Sequence, residues 1–184
     1  MKYYQNQTFE KQEALSQGEY EGCTFKHCSF SEQDLSNFTF IECIFEHCDL
    51  SSVNVKNTSF KDVQFSHCKL LGINFNESNH FLLSLNFEYC MLSYASFYQM
   101  KLPKMHWKKC MLEDTDFSEA ELTASVFSDC DLRGAMFDQT NLEKADFRTS
   151  INYSIDPEAN RFRKAKFSKE GVMGLLAKYD IIIE

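Results

Sequence analysis

The sequence predicts an all-β solenoid, a quadrilateral β-helix whose far end is covered by a short C-terminal α-helix. Three observations carry this expectation. An apolar residue recurs at every fifth position over most of the 184 residues, a small residue often stands two places before it, and Cys residues recur at intervals of twenty. A straight strand sends alternate side chains to opposite faces, so it cannot hold an odd period on one face, and each quintet must contain a corner. Four quintets span the twenty-residue Cys interval, so four corners close one coil.

The first series of apolar centres runs Leu15, Tyr20, Phe25, Phe30, Leu35 and onward in fives to Phe75. After a two-residue slip it resumes as Leu82, Phe87, Leu92, Phe97 and onward to Phe147. In a chain that is 43% apolar, these 27 hits would arise by chance at roughly one in 10^10, so the period reflects structure. Cys28, Cys48 and Cys68, then Cys90, Cys110 and Cys130, stand two places before their centres and share one inward column as small core residues. From Leu82 to Phe147, Leu alternates with an aromatic residue, which puts Leu on two opposite walls and rings on the other two. Large meets small across the axis, and such filling leaves no cavity for a substrate.

Residues 1–14 precede the pattern and are expected to cap its start, and the coil spans 15–167. Within it the slip at 76–80, Asn-Glu-Ser-Asn-His, is turn-prone and reads as a short exposed bulge. A second break at 152–160 contains Pro157, after which Phe162 and Phe167 return in phase. Residues 168–184 leave the repeat. Ser168 can cap a helix with Val172, Leu175, Leu176 and Tyr179 on one stripe, followed by Ile181, Ile182 and Ile183. A bare solenoid end presents unpaired strand edges, so this segment should cover it, either as the cap of a monomer or as the contact between two copies.

The runs CTF at 23–25, CSF at 28–30, CDL at 130–132 and ADF at 145–147 resemble the motifs of the pentapeptide repeat family over about 15–167. That resemblance implies a right-handed coil. The C-terminal run DPEANRFRKAKF, with the helix and Ile-rich tail, is similar to the quinolone-resistance (Qnr) subgroup. The Qnr resemblance implies a homodimer paired through the C-terminal end, with Val172, Leu175, Leu176, Tyr179, Ile181, Ile182 and Ile183 as the contact. It also implies an acidic rod that imitates duplex DNA on DNA gyrase or topoisomerase IV and protects the enzyme from quinolones or toxins. The bulge at 76–80 is shorter than the projecting loops on which some Qnr proteins depend.

Composition narrows the function classes. No run of eighteen apolar residues occurs and the start is polar, which predicts a soluble cytoplasmic protein with no membrane partner and eight reduced Cys. The formal charge of −8 opposes binding to a phosphate backbone and favours a basic protein partner, with no direct nucleic-acid binding expected. The pairs His27-Cys28, His47-Cys48 and His67-Cys68 suggest zinc, but neighbours in an extended segment point apart, so no metal site is expected. No phosphate loop, nucleophile elbow or HExxH motif is present, so no catalytic residue, cofactor or enzymatic activity is assigned.

Residues 111–147 hold 10 acidic and 2 basic side chains, an acidic band between basic girdles at 98–110 and 148–184, with its carboxylates distributed around all four walls and not along one stripe. Asp116, Glu121, Asp131 and Asp146, with Glu77 and Asn79 on the bulge, are the candidate partner contacts. If the rod imitates DNA, its binding should compete with DNA, weaken with salt and suffer from charge reversal. The competing class is a structural or adaptor protein that binds another protein with no topoisomerase role.

Overall fold

In the computed structural model, which describes residues 2–179 and 181–182, the chain winds as a four-sided β-helix with every strand pairing parallel. We label the walls A to D in the order the chain meets them, each taken with the corner that ends it. Wall A begins as a four-stranded sheet of Lys2–Gln5, Gly18–Glu21, Thr39–Ile41 and Ser59–Lys61. Wall B is a seven-stranded sheet running from Thr8–Glu10 to Val126–Ser128. Walls C and D are held by single bridges at twenty-residue steps, such as Ser29 to Asp49 and Ser96 to Asp116.

The corner inferred from the odd period has a defined backbone. Two residues after most apolar centres the chain enters the left-handed region, as at His27, Glu32, Asn37 and Glu42, with φ between +51° and +61°. On many walls the centre's carbonyl accepts the N–H three residues on, as in Ala95 to Leu92 at 3.0 Å, which closes a turn with a left-handed third residue. Val, Ile and Thr, whose branched Cβ fits this region worst, occupy none of the left-handed corners among the described residues.

Inside, the rings stack along the walls and meet edge to face across the axis. On wall B the stack runs from Phe9 through Phe25, Phe45, Phe65, Phe87 and Trp107 to Phe167, with neighbouring centroids 4.5–5.8 Å apart. Phe75, Phe97, Phe117 and Phe137 form the wall D stack, and Phe97 meets Trp107 edge-on at 4.9 Å. Both geometries are favourable for ring quadrupoles.

All eight Cys are buried free thiols. Cys43 donates its S–H to the Tyr20 carbonyl and Cys68 to the Phe45 carbonyl, both at 3.3 Å. Thr58 and Thr140 fill the equivalent slot and donate to Leu35 and Phe117 at 2.6 and 2.9 Å. Cys, Thr and Ser in this slot satisfy a carbonyl of the coil below, while apolar residues such as Val63, Ala120 and Ala145 fill it elsewhere. Burial pushes the Cys43 thiol up to about 12, so it is a protonated donor and not a nucleophile.

Three segments differ from the sequence expectation. The N-terminal stretch expected as a cap carries two strands that pair in register with the coil, Tyr4 opposite Tyr20 and Phe9 opposite Phe25, at a step of sixteen. At the slip the interior resumes with Leu85 and Phe87, not Leu82. Leu82 takes a left-handed φ of +57° and stands 64% exposed beside Phe81 at 69%, because the extra backbone pushes the wall outward there. The C-terminal α-helix is instead two short 3-10 segments, Gly171–Leu175 and Ala177–Tyr179. Gly171 and Gly174 weaken α-helix formation, and both press on Tyr153: a Cβ at Gly174 would lie 2.1 Å from the Tyr153 carbonyl oxygen. Ser168 still accepts the Gly171 N–H at 2.8 Å. No helix among the described residues is long and apolar enough to cross a membrane.

Candidate functional site

With the interior filled by side chains, only the outer walls and the ends are available to another molecule. The residue before each apolar centre points outward, and there the sequence repeatedly places Asp or Asn. Its side-chain oxygen accepts the N–H two residues on, as in Asp116 to Ser118 at 2.9 Å, Asp131 to Arg133 at 3.1 Å and Asp146 to Arg148 at 3.2 Å. Each of these carboxylates braces its own turn, which is the physical reason for the D in the CDL and ADF runs.

The candidate contacts are consequently spread over the rod. Asp116 and Glu77 lie on wall D, Asp131 on wall C, Glu121 and Asn79 on wall A, and Asp146 on wall B. Glu121 is taken up by its own wall: Thr123 donates to one carboxylate oxygen through both N–H and hydroxyl, and Asn141 to the other at 2.8 Å. Burial alone would raise Glu121, but these donors outweigh it and leave the carboxyl below its usual range. Asp146 is held low chiefly by the Arg148 fork, at 2.7–3.1 Å, with Lys166 at 3.7 Å. Asn79 accepts the Phe81 N–H at 2.9 Å.

Charge is unevenly divided among the walls. Residues 98–167 contain eleven Lys and Arg, of which Arg133 alone lies on walls C and D. They contain twelve Asp and Glu, of which Glu121, Asp129, Glu143 and Asp146 lie on walls A and B and the other eight on C and D. The basic girdles are thus a basic edge, and the acidic band faces the other way. Wall D carries Asp116, Glu119 and Asp138 with no cation paired to them among the described residues. Gln99 and the Tyr98 hydroxyl donate to Glu119 at 2.8 and 2.9 Å and hold it below the usual carboxylate range.

The His residues form an outer column at the B–C corner. The rings of His27, His47, His67 and Tyr89 stack at 5.1, 4.7 and 4.6 Å, with the Lys109 Nζ 5.0 Å from the Tyr89 centroid. The Cys column lies inside, so His and Cys do not converge. At the C-terminal end Leu175 is buried, Leu176 half-buried, and Val172, Tyr179, Ile181 and Ile182 exposed. Ile183 lies outside the described residues.

The sequence profile of the pentapeptide repeat region matches residues 19–97 and 80–154. The chain belongs to the pentapeptide repeat family. This pentapeptide repeat protein is similar in fold to QnrB1, described as a plasmid-mediated fluoroquinolone resistance protein. One trypsin-treated variant of QnrB1 superposes with a TM-score of 0.61 at 21% identity, covering 99% of this chain and 97% of that one. A second trypsin-treated variant gives 0.52 at 24% identity, with the same coverage. HetL, a pentapeptide repeat protein involved in heterocyst differentiation regulation from Nostoc sp. strain PCC 7120, matches at 0.44 and 15% identity, covering 92% and 88%. No curated protein sequence matches the chain. At these identities the likeness establishes the fold.

Proposed function

We propose that this pentapeptide repeat protein is a non-enzymatic binding protein of the cytoplasm. Its acidic C–D side occupies the cationic DNA-binding surface of DNA gyrase or topoisomerase IV and protects the enzyme from quinolones or toxins. The observation that carries the reading is the gathering of eight carboxylates on walls C and D of residues 98–167, met there by Arg133 and, at Asp156 and Glu158, by Lys178 from the C-terminal segment, which leaves Asp114, Asp116, Glu119 and Asp138 without an ion pair among the described residues. The same side exposes Met111, Met136 and Ile151 at 44–57%, the apolar anchors that a protein interface uses. The likeness to QnrB1, described as a fluoroquinolone resistance protein, supports a role against quinolones.

Of the candidate contacts, Asp116, Asp131 and Glu77 lie on this side, whereas Glu121, Asp146 and Asn79 lie on walls A and B. Two copies pair through the C-terminal end, where Val172, Tyr179, Ile181 and Ile182 are exposed.

A pull-down with purified gyrase subunits, joined to a supercoiling assay with and without a quinolone, tests the partner. Salt-sensitive retention and relief of quinolone inhibition are expected; no retention and unchanged inhibition would exclude the topoisomerases. Size-exclusion of the full chain against a form lacking 168–184 tests the dimer, which should dissociate on truncation.

A further inference from the structure

The opposite edge of the rod has its own chemistry. Walls A and B of residues 98–167 carry ten Lys and Arg against four carboxylates, in a protein whose overall charge is −8. Two of those four, Glu121 and Asp146, are already engaged by donors of their own walls. Lys101, Lys104, Lys144, Arg161, Arg163 and Lys164 are exposed and form no ion pair among the described residues.

Register fixes how these cations are arrayed. Lys104, Lys144 and Lys164 all occupy the A–B corner with φ of +60°, +60° and +61°, so they share one vertical line. Coils stack at roughly 4.8 Å, and the three lysines therefore span about 14 Å. Lys101 and Arg161 project from the wall A position before the centre and Arg163 from the position after it, flanking that line.

The kind of partner follows from what the edge lacks. Every large apolar side chain exposed within 98–167, Met111, Met136 and Ile151, lies on walls C and D. A protein partner needs buried apolar or aromatic anchors, whereas a phosphate backbone needs only a line of cations, with Arg forking onto phosphate oxygens.

We propose that the A–B edge is a second binding surface, for the phosphate backbone of duplex nucleic acid, read without regard to sequence. It does not depend on the topoisomerase reading, which uses the other side. The net negative charge opposes such contact over the rod as a whole, but within residues 98–167 eight of the twelve carboxylates are turned away from this edge.

The test is binding of a short labelled DNA duplex of mixed sequence to the full chain between about 50 and 200 mM salt. Each phosphate neutralised contributes about −0.9 to the slope of log K against log salt, so six free cations predict a slope near −5. The triple change Arg161→Glu, Arg163→Glu, Lys164→Glu should shrink the slope magnitude by about 3 and weaken binding at low salt at least tenfold. The opposite-side change Asp116→Asn, Glu119→Gln, Asp138→Asn should leave binding equal or tighter. Far-UV circular dichroism and the unfolding midpoint establish that each variant is folded. No duplex binding at about 50 mM salt, binding indifferent to the A–B triple, or preference for polyglutamate over the duplex would each overturn the proposal; the last would make the occupant an acidic protein.

Discussion

Ala124 stands at an A–B corner with φ of +58°, its N–H donating to the Glu143 carbonyl at 2.8 Å. For a residue with a side chain this conformation costs roughly 1–2 kcal/mol. Ala124→Gly removes that cost, while the greater ordering entropy of Gly takes back about 0.5–1 kcal/mol. The net gain is between about 0 and about 1.5 kcal/mol. Ala124→Val brings a branched Cβ into the same region and should lose about 1–3 kcal/mol, the range for sparsely populated backbone regions. A plain strand position would reverse the order, since Val exceeds Gly there by about 1 kcal/mol. Urea midpoints should therefore rank Gly first, then Asn, Ala and Val, with the m-value unchanged. A Val variant more stable than the Gly variant would refute the corner geometry.

Other substitutions test the core, the acid limb and the cap. Phe97, fully buried between Phe75 and Phe117 at 5.1 and 5.4 Å, should lose about 3–5 kcal/mol as Phe97→Ala in denaturant unfolding. Asp146 is depressed in the folded state by Arg148, so its contribution is present above the ordinary carboxylate range and lost as pH falls through the lower folded value. Asp146→Asn should therefore be less stable than wild type at neutral pH, with the gap closing in acid; a gap that persists or widens in acid argues against the ion pair. Gly174→Ala would drive a methyl group into the Tyr153 carbonyl. It should detach the C-terminal segment while leaving the coil intact, seen as faster proteolysis confined to residues after 167.

Much of the fold was legible because it is periodic. The inward side chains and the Cys column follow from spacing, since a solenoid repeats one local decision, whereas the bulge expected at 76–80 falls further on: Asn79 still pairs with Ser59 at a step of twenty, and the step is twenty-two where Leu85 meets Val63. The misread segments are those where a local contact overrides the period. Tyr4 and Phe9 are five apart and in phase with each other, but their sixteen-residue step to Tyr20 and Phe25 hides them from a search at twenty. Leu82 keeps the beat of the series while its backbone is displaced and its side chain exposed; Leu83 packs on the core beside it, and Leu85 opposite Val63 restores the inward pattern. The stripe from Val172 to Tyr179 has helical spacing, yet Gly171 and Gly174 are needed for close approach to Tyr153 and leave only 3-10 turns. The candidate surface was the least legible part. Within 111–147 the carboxylates do occur on all four walls, and the acidic side and basic edge emerge only over the longer stretch 98–167, because neighbours on a wall are twenty residues apart.

The most direct measurement is the affinity of the labelled full chain for gyrase in the absence of DNA, compared with two folded charge-reversal variants. Asp116→Lys, Glu119→Lys, Asp138→Lys on wall D should weaken binding at least tenfold, while Arg161→Glu, Arg163→Glu, Lys164→Glu on the A–B edge should leave it intact. Wild-type affinity in the wall D variant, or no affinity in the wild type itself, would contradict the assignment of the acidic side as the partner surface.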